Sequence, residues 1–333
     1  MLDDRKSAIL RAVVQQYIET AQPVGSTTVA ARSDVGVSSA TVRNEMTVLE
    51  REGYLAQPHT SAGRVPTEKG YRFFVDGLAG PGRLSPTNVR LVRDFFSSAH
   101  GELESMLRET TQLLSSLTQS TAVVVGERAE AATVRSVQLV DLSPRTLLAV
   151  AVLSNGIVVK RTFDLDQDVD PDALADAAVT VAQGLVGGSV QDAASWVPPA
   201  GAPAAGLAGL AGLAVRAGIE AEGSRVFVEG TSRIAGSFDT RETVERVLST
   251  LEQQIVVVSL LKQLIDGGLT VAIGSETGVE TLADCALVVA PYEAGGEPAG
   301  AIAVLGPTRM DYAETVSAVA VVSQRLSRML TEG

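Results

Sequence analysis

Cysteine, histidine and lysine are scarce in this chain: of 333 residues, one is Cys, two are His and four are Lys. A single cysteine excludes an intrachain disulfide and a multi-cysteine metal site. Cys285 lies in the apolar run DCALVVA and reads as a buried core thiol. His59 and His100 are far apart in sequence, and with Cys285 they assemble no nucleophile–base pair. GxxxxGK followed by Ser or Thr, HExxH and paired-cysteine motifs are all missing, so no enzyme, cofactor or metal centre is expected. The glycine-rich AGGEPAG at residues 294–300 falls between two strand-like runs rather than opening a helix, and reads as a turn. No apolar run approaches the length of a membrane span, and the opening MLDDRKSAIL lacks the pattern of a signal peptide. A cytoplasmic protein without membrane partners is expected.

Positive charge in excess is lacking too. The net charge is −12, which on its face argues against nucleic acid. Apportioned along the chain, residues 1–80 carry nine Lys/Arg and nine Asp/Glu, whereas residues 81–333 carry eighteen and thirty. The acidity therefore lies outside the N-terminal region. A neutral head on an acidic body gains little non-specific affinity, so any DNA binding must come from placed contacts and from dimerisation. With 45% hydrophobic and 20% charged residues, the chain is globular and long enough for two or three domains.

The most informative stretch is residues 38–71. Ser38 or Ser39 can cap a helix in which Val42, Met46 and Leu49 form a narrow apolar stripe, and Gly53 stops it. The opposite face presents Asn44, with Ala40, Thr47 and Arg51 close by and Thr41 and Arg43 on the flanks; Ser38, Ser39, Thr41, Arg43, Asn44 and Thr47 are the candidates for a major groove. Arg and Asn are the side chains whose forks match guanine and adenine edges, and small polar neighbours let a backbone approach the groove. Upstream, residues 26–32 predict a short helix capped by Ser26, followed by a turn at 33–37. Downstream, residues 54–57 and 64–66 flank PHTSAG, a hairpin tip at which His59, Thr60, Ser61 and Arg64 suit phosphates or a minor groove. Helix, turn, helix and wing together are far more specific than any one part.

SSATVRNEM, GYLAQPHTSAGR and PTEKGYRFFVD resemble the winged-helix domain of the HrcA family, the bacterial heat-inducible repressors of chaperone operons. YIETAQPVGSTTVAAR at residues 17–32 resembles the family's opening, so almost all of residues 5–76 takes part. Near the other end, IGSETG (273–278), VVAPY (288–292) and GAIAVLGPTRMDYAETV (300–316) resemble its carboxy-terminal signature. The resemblance implies an α+β fold: an N-terminal winged helix-turn-helix domain, then a GAF-like α+β domain carrying an inserted, largely helical dimerisation domain. It implies a homodimer that binds double-stranded DNA at the inverted-repeat CIRCE operator. It also implies inactivation by heat and reactivation by the GroE chaperonin.

Periodicity fills in the remainder. Residues 86–119 predict one long helix, and residues 121–163 predict strands, with Asn155-Gly156 as the strongest hairpin signal. Residues 170–186 predict a helix capped by Asp170. An Ala/Gly-rich stretch at 187–218 reads as partly helical and otherwise linker-like. A long helix is expected over 241–266, strands over 269–305 and a closing helix over 311–330. The expected domains are 1–77 for the reading head, 78–86 for a linker, 87–168 and 256–333 for the two parts of the GAF-like body, and 169–255 for the insertion. Arg309 and Asp311, at the start of the last helix, either bind a small ligand or hold the strand-to-helix junction.

Overall fold

The computed structural model describes residues 2–332 apart from 33–35, 60–61, 79, 81, 83, 99–102, 127–131, 155–157, 203, 222–225, 239 and 266–267. The head opens with α1 (Asp4–Thr20), whose first turn is capped by Asp3 accepting the Lys6 N–H at 2.8 Å. Its buried stripe of Ile9, Leu10, Val13 and Val14 packs behind α2 (Ser26–Ala30) and α3 (Ser39–Arg51). Gly25, not Ser26, stands at the cap of α2; Ser26 is already helical and is buried. Next come β1 (Leu55–Ala56) and β2 (Val65–Pro66), paired antiparallel, and then α4 (Glu68–Asp76).

The body begins with α5 (Pro86–Ser98) and α6 (Leu103–Thr118). The single helix expected over 86–119 is thus two helices, and His100 lies between them, outside the described residues. After β3 (Thr121–Gly126) the chain leaves the body through β4 (Val134–Ser143), β5 (Thr146–Leu153) and β6 (Val158–Asp164). The excursion continues with α7 (Pro171–Leu185), α8 (Val190–Ser195) and α9 (Ala205–Ala221). The chain returns through β7 (Val226–Glu229) and α10 (Thr231–Ser237). Two helices follow, α11 (Arg241–Glu252) and α12 (Gln254–Ile265), where one was expected; the break falls at Gln253, whose ψ of 77° leaves the helical region. The last elements are β8 (Thr270–Ile273), β9 (Cys285–Ala294), β10 (Glu297–Pro307) and α13 (Tyr312–Glu332).

The body sheet is antiparallel with strand order β7-β3-β10-β9-β8. Its side chains alternate between two cores. Ala122, Val124, Val288, Ile302 and Val304 face α6 and α13, whereas Val123, Val125, Leu287, Val289 and Leu305 face α10, α11 and α12. All six residues of β3 are buried, because the strand has a neighbour on each side and helices on both faces. Gly295 and Gly296 make the tight turn between β9 and β10, so AGGEPAG is a hairpin.

Strands β4, β5 and β6 form a separate three-stranded sheet. This corrects the expectation that the strands of 121–163 all belong with those of 269–305: β3 alone joins them, and the excursion starts at β4. The reason lies in packing. On β5, Leu147, Ala149, Ala151 and Leu153 are buried at every second position and close a core with Ala177, Val181, Ala208, Ala211 and Ala214 of α7 and α9. The Ala/Gly-rich stretch is partly helical as expected, in α8 and α9 with a non-helical connection between them, and the small side chains of α9 allow close approach to the sheet. Asp170 and Pro171 start α7 as expected, and the Asn155-Gly156 turn lies outside the described residues.

Head and body share one core. The cluster holding Ile9, Val42 and Leu49 runs continuously into Leu114, Val288, Tyr312 and Val319. The rings of Tyr71 and Tyr312 meet at 6.0 Å across the seam. Leu84, in the expected linker, is buried in the same cluster.

Candidate nucleic-acid interface

Helix α3 is built to present one end. Ser38 has extended backbone angles, and its Oγ accepts the Thr41 N–H at 3.2 Å and lies 3.0 Å from the Thr41 hydroxyl. Val42, Met46 and Leu49 are buried, which turns the opposite side outward. At the far end Gly53 takes φ 78°, a conformation that favours glycine, and ends the helix. Among the described residues, Arg43 and Asn44 are exposed, and their side chains have no hydrogen-bond or ion-pair partner. Thr47 is half-buried and turns its hydroxyl back to the Arg43 carbonyl at 3.0 Å. Ser39 is half-buried beside the cap.

The acids of α3 are neutralised from within the head. Glu45 lies 3.8 Å from Arg5 of α1, and Glu50 receives both Nε and Nη2 of Arg64, at 3.0 and 2.9 Å. What remains uncompensated on the outer face is the positive charge of Arg43 and Arg51, a favourable balance for a phosphate surface although the head as a whole is neutral.

Arg64 departs from its expected role. The hairpin tip was expected to present it to DNA; instead its guanidinium is half-buried against Glu50 and ties β2 to α3. This residue also pairs with Val24, the two backbones exchanging bonds of 2.8 and 2.9 Å, so a third chain segment joins the ribbon. Gly63 passes so close that a Cβ there would sit 2.4 Å from the Val24 carbonyl oxygen. His59 is exposed at the tip, with its carbonyl accepting the Ala62 N–H at 2.9 Å; Thr60 and Ser61 lie outside the described residues.

The other candidate pair resolves into contacts within the protein. Asp311 accepts the Glu314 N–H at 3.0 Å and caps α13, and Arg309 donates to the Ser237 carbonyl of α10 at 3.0 Å. Arg309 also lines a cleft of about 290 Å³ at the seam between head and body, with Tyr17, Tyr71, Thr240, Thr243 and Asp284. Cys285 is fully buried, and burial together with the neighbouring Asp284 charge pushes its thiol up to about 12, which suits a core residue. Among the described residues no group of His, Cys, Asp or Glu is arranged to hold a metal ion, and no helix is long and apolar enough to cross a membrane.

Sequence reasoning missed Glu68, Arg72, Ser275 and Glu276, which join the head to the body. Nothing in either motif stretch signals that the other is its neighbour.

A capped helix with free Arg and Asn side chains, carried on a larger sheet-centred body, is an arrangement that suits a transcription regulator. Residues 104–316 match the family model of the HrcA protein C-terminal domain. A heat-inducible transcription repressor HrcA of Kineococcus radiotolerans is 39% identical, with all of both chains covered. One of Nocardia farcinica is 38% identical over 99% of this chain and 97% of its own. The chain belongs to the HrcA family of heat-inducible transcription repressors. Its fold also matches the crystal structure of a hypothetical protein, with a TM-score of 0.69 and 23% identity over 100% of this chain and 99% of the other.

Proposed function

We propose that this protein is a cytoplasmic, homodimeric repressor of chaperone operons whose winged-helix head reads an inverted-repeat CIRCE operator. The observation that carries this reading is the exposed, unpartnered Arg43–Asn44 pair on the capped half of α3. Arg43 and Asn44 read base edges in the major groove, while Ser38, Ser39, Thr41 and Thr47 bring the helix end against phosphates. His59, Thr60 and Ser61 contact the backbone or minor groove from the wing, and Arg64 holds the wing in place. The body is GAF-like, and the excursion from β4 to α9 serves dimerisation. Two heads related by a two-fold axis then meet half-sites separated by whole helical turns. Heating releases the operator, and the GroE chaperonin restores the binding form.

The test is fluorescence anisotropy at fixed salt with an intact repeat and a repeat in which one half-site is scrambled. Each duplex is measured before and after mild heating, with and without chaperonin and ATP. Tight binding that needs both half-sites, is lost on heating and returns with chaperonin supports the reading. No preference for the intact repeat under any condition rejects it.

The seam cleft favours a second reading, in which a small polar effector bound beside Thr243, Asp284 and Arg309 controls the repressor and heat has no direct part. Operator binding that ignores heat and chaperonin, with an effector-induced rise in melting temperature, selects this alternative.

A further inference from the structure

Helix α4 grips both halves of the molecule. Toward the reading helix, the Thr67 hydroxyl donates to the Gly53 carbonyl at 2.7 Å, and Lys69 Nζ donates to the Glu52 carbonyl at 2.9 Å. Lys69 Nζ also stands 4.3 Å from the centre of the Tyr54 ring. These contacts satisfy acceptors at the C-terminal end of α3, where the helix dipole favours a cation.

Toward the body, Glu68 accepts the Ser275 N–H at 3.1 Å on one carboxylate oxygen and the Ser275 hydroxyl at 2.6 Å on the other. One turn later Arg72 faces Glu276 as a fork, with Nε 2.9 Å from Oε1 and Nη2 bonded to Oε2. Arg72 Nη2 also donates to the Val271 carbonyl of β8 at 2.7 Å, covering the open edge of the body sheet. Glu276 is aimed by the Ile273 N–H, 2.9 Å from Oε2. An acid of the head thus holds body donors, and a base of the head holds an acid and a carbonyl of the body. That asymmetry permits one docking register, and the planar Arg–carboxylate fork fixes its angle.

We infer that Glu68 and Arg72, with Ser275 and Glu276, are positioning residues for operator binding: through α4 they fix α3 on the body and so set the spacing and angle of the two reading helices in the dimer. This inference rests on the dimeric operator reading above. Heads free to swivel would spread the second half-site encounter over many orientations, whereas docked heads meet both half-sites at a high effective concentration.

The test uses the full chain with Arg72→Met, Glu276→Gln and Ser275→Ala, measured against a single half-site, the intact repeat, and repeats lengthened by half a helical turn, about 5 base pairs. For Arg72→Met and Glu276→Gln, half-site affinity is expected to stay within about twofold of the parent, while affinity for the intact repeat falls about tenfold or more. The penalty for the half-turn insertion is expected to shrink with it. Ser275→Ala removes one hydroxyl donor and is expected to show the same pattern more weakly, which keeps the test informative where Arg72→Met does not fold. Unchanged affinity for the repeat and an unchanged insertion penalty overturn the positioning role, as does an equal loss on half-site and repeat. A parent chain that binds the scrambled repeat as well as the intact one rejects the operator reading itself, a result visible before any variant is made.

Discussion

Arg64 Nη2 lies 2.9 Å from Glu50 Oε2, and this pair joins the ribbon to the helix whose outer face carries Arg43 and Asn44. Both side chains are largely shielded, so the bond holds geometry and is not a screened surface contact. Arg64→Ala strips a charged partner from Glu50 and is expected to lower stability by about 1–3 kcal/mol, read from urea unfolding. Because the guanidinium is occupied within the head, DNA affinity should fall without a change in its salt slope. A slope reduced by about one would show that Arg64 meets a phosphate after all.

Arg43→Ala and Asn44→Ala should behave in the opposite way. Both residues are exposed and unpartnered, so melting temperature is expected to stay near that of the parent. Each substitution should cost about 1–3 kcal/mol of specific binding and relax the preference at one operator position. The measurement is anisotropy with a panel of single-base operator variants. A uniform loss across the panel would assign these side chains to phosphates.

Gly63 tests the ribbon directly. With a Cβ placed 2.4 Å from the Val24 carbonyl oxygen, Gly63→Ala has to move backbone, because the obstructing atom belongs to the strand pairing of Val24 with Arg64. A destabilisation of about 1–3 kcal/mol is expected, with operator affinity reduced through displacement of the wing. Unchanged unfolding would mean that the ribbon yields without cost.

These residues also show how much was legible beforehand. Ser38, Val42, Met46, Leu49 and Gly53 act over a few residues, and their roles in α3 follow from helical period and capping chemistry alone. The alternation of Val123 and Val124 between two cores was not legible, because a strand buried on both faces shows a continuous apolar run whichever sheet it joins. For β4 to β6 the obstacle is different: the alternation on β5 marks one buried face, but it does not say that α7 and α9, rather than the body helices, cover that face. The role of Arg64 depended on Glu50, fourteen residues away, and that of Arg72 on Glu276, more than two hundred away. Partners at such separations leave no mark on local periodicity.

Cys285 offers a reporter of body opening. Burial first, and the adjacent Asp284 charge second, raise its thiol to about 12, against a smaller opposing effect of Arg246. At neutral pH the native protein should react negligibly with an aromatic disulfide reagent, both because thiolate is scarce and because the sulfur is covered. On heating, labelling is expected to rise with loss of operator binding if release involves opening of the body. Loss of binding without labelling would confine the thermal change to the head.

The docking of head on body should depend on acid pH in a definite direction. Burial by itself raises the Glu276 carboxyl, but the Arg72 hydrogen bond, the Ile273 N–H and the Arg72 charge together outweigh it and hold the group below its ordinary value of 4.5. The unfolded chain therefore binds the proton more readily than the folded one. The stabilisation is present above about 4.5 and is lost as the pH falls through the lower folded value. Glu276→Gln removes this titration while leaving an acceptor for one Arg72 N–H. Parent and variant share every other carboxylate, so the informative quantity is the difference in melting temperature between them. That difference should be constant from pH 7 to about 5 and narrow as the pH drops further. A gap that stays constant through the acid range would mean that the Arg72–Glu276 bond does not link ionisation to stability.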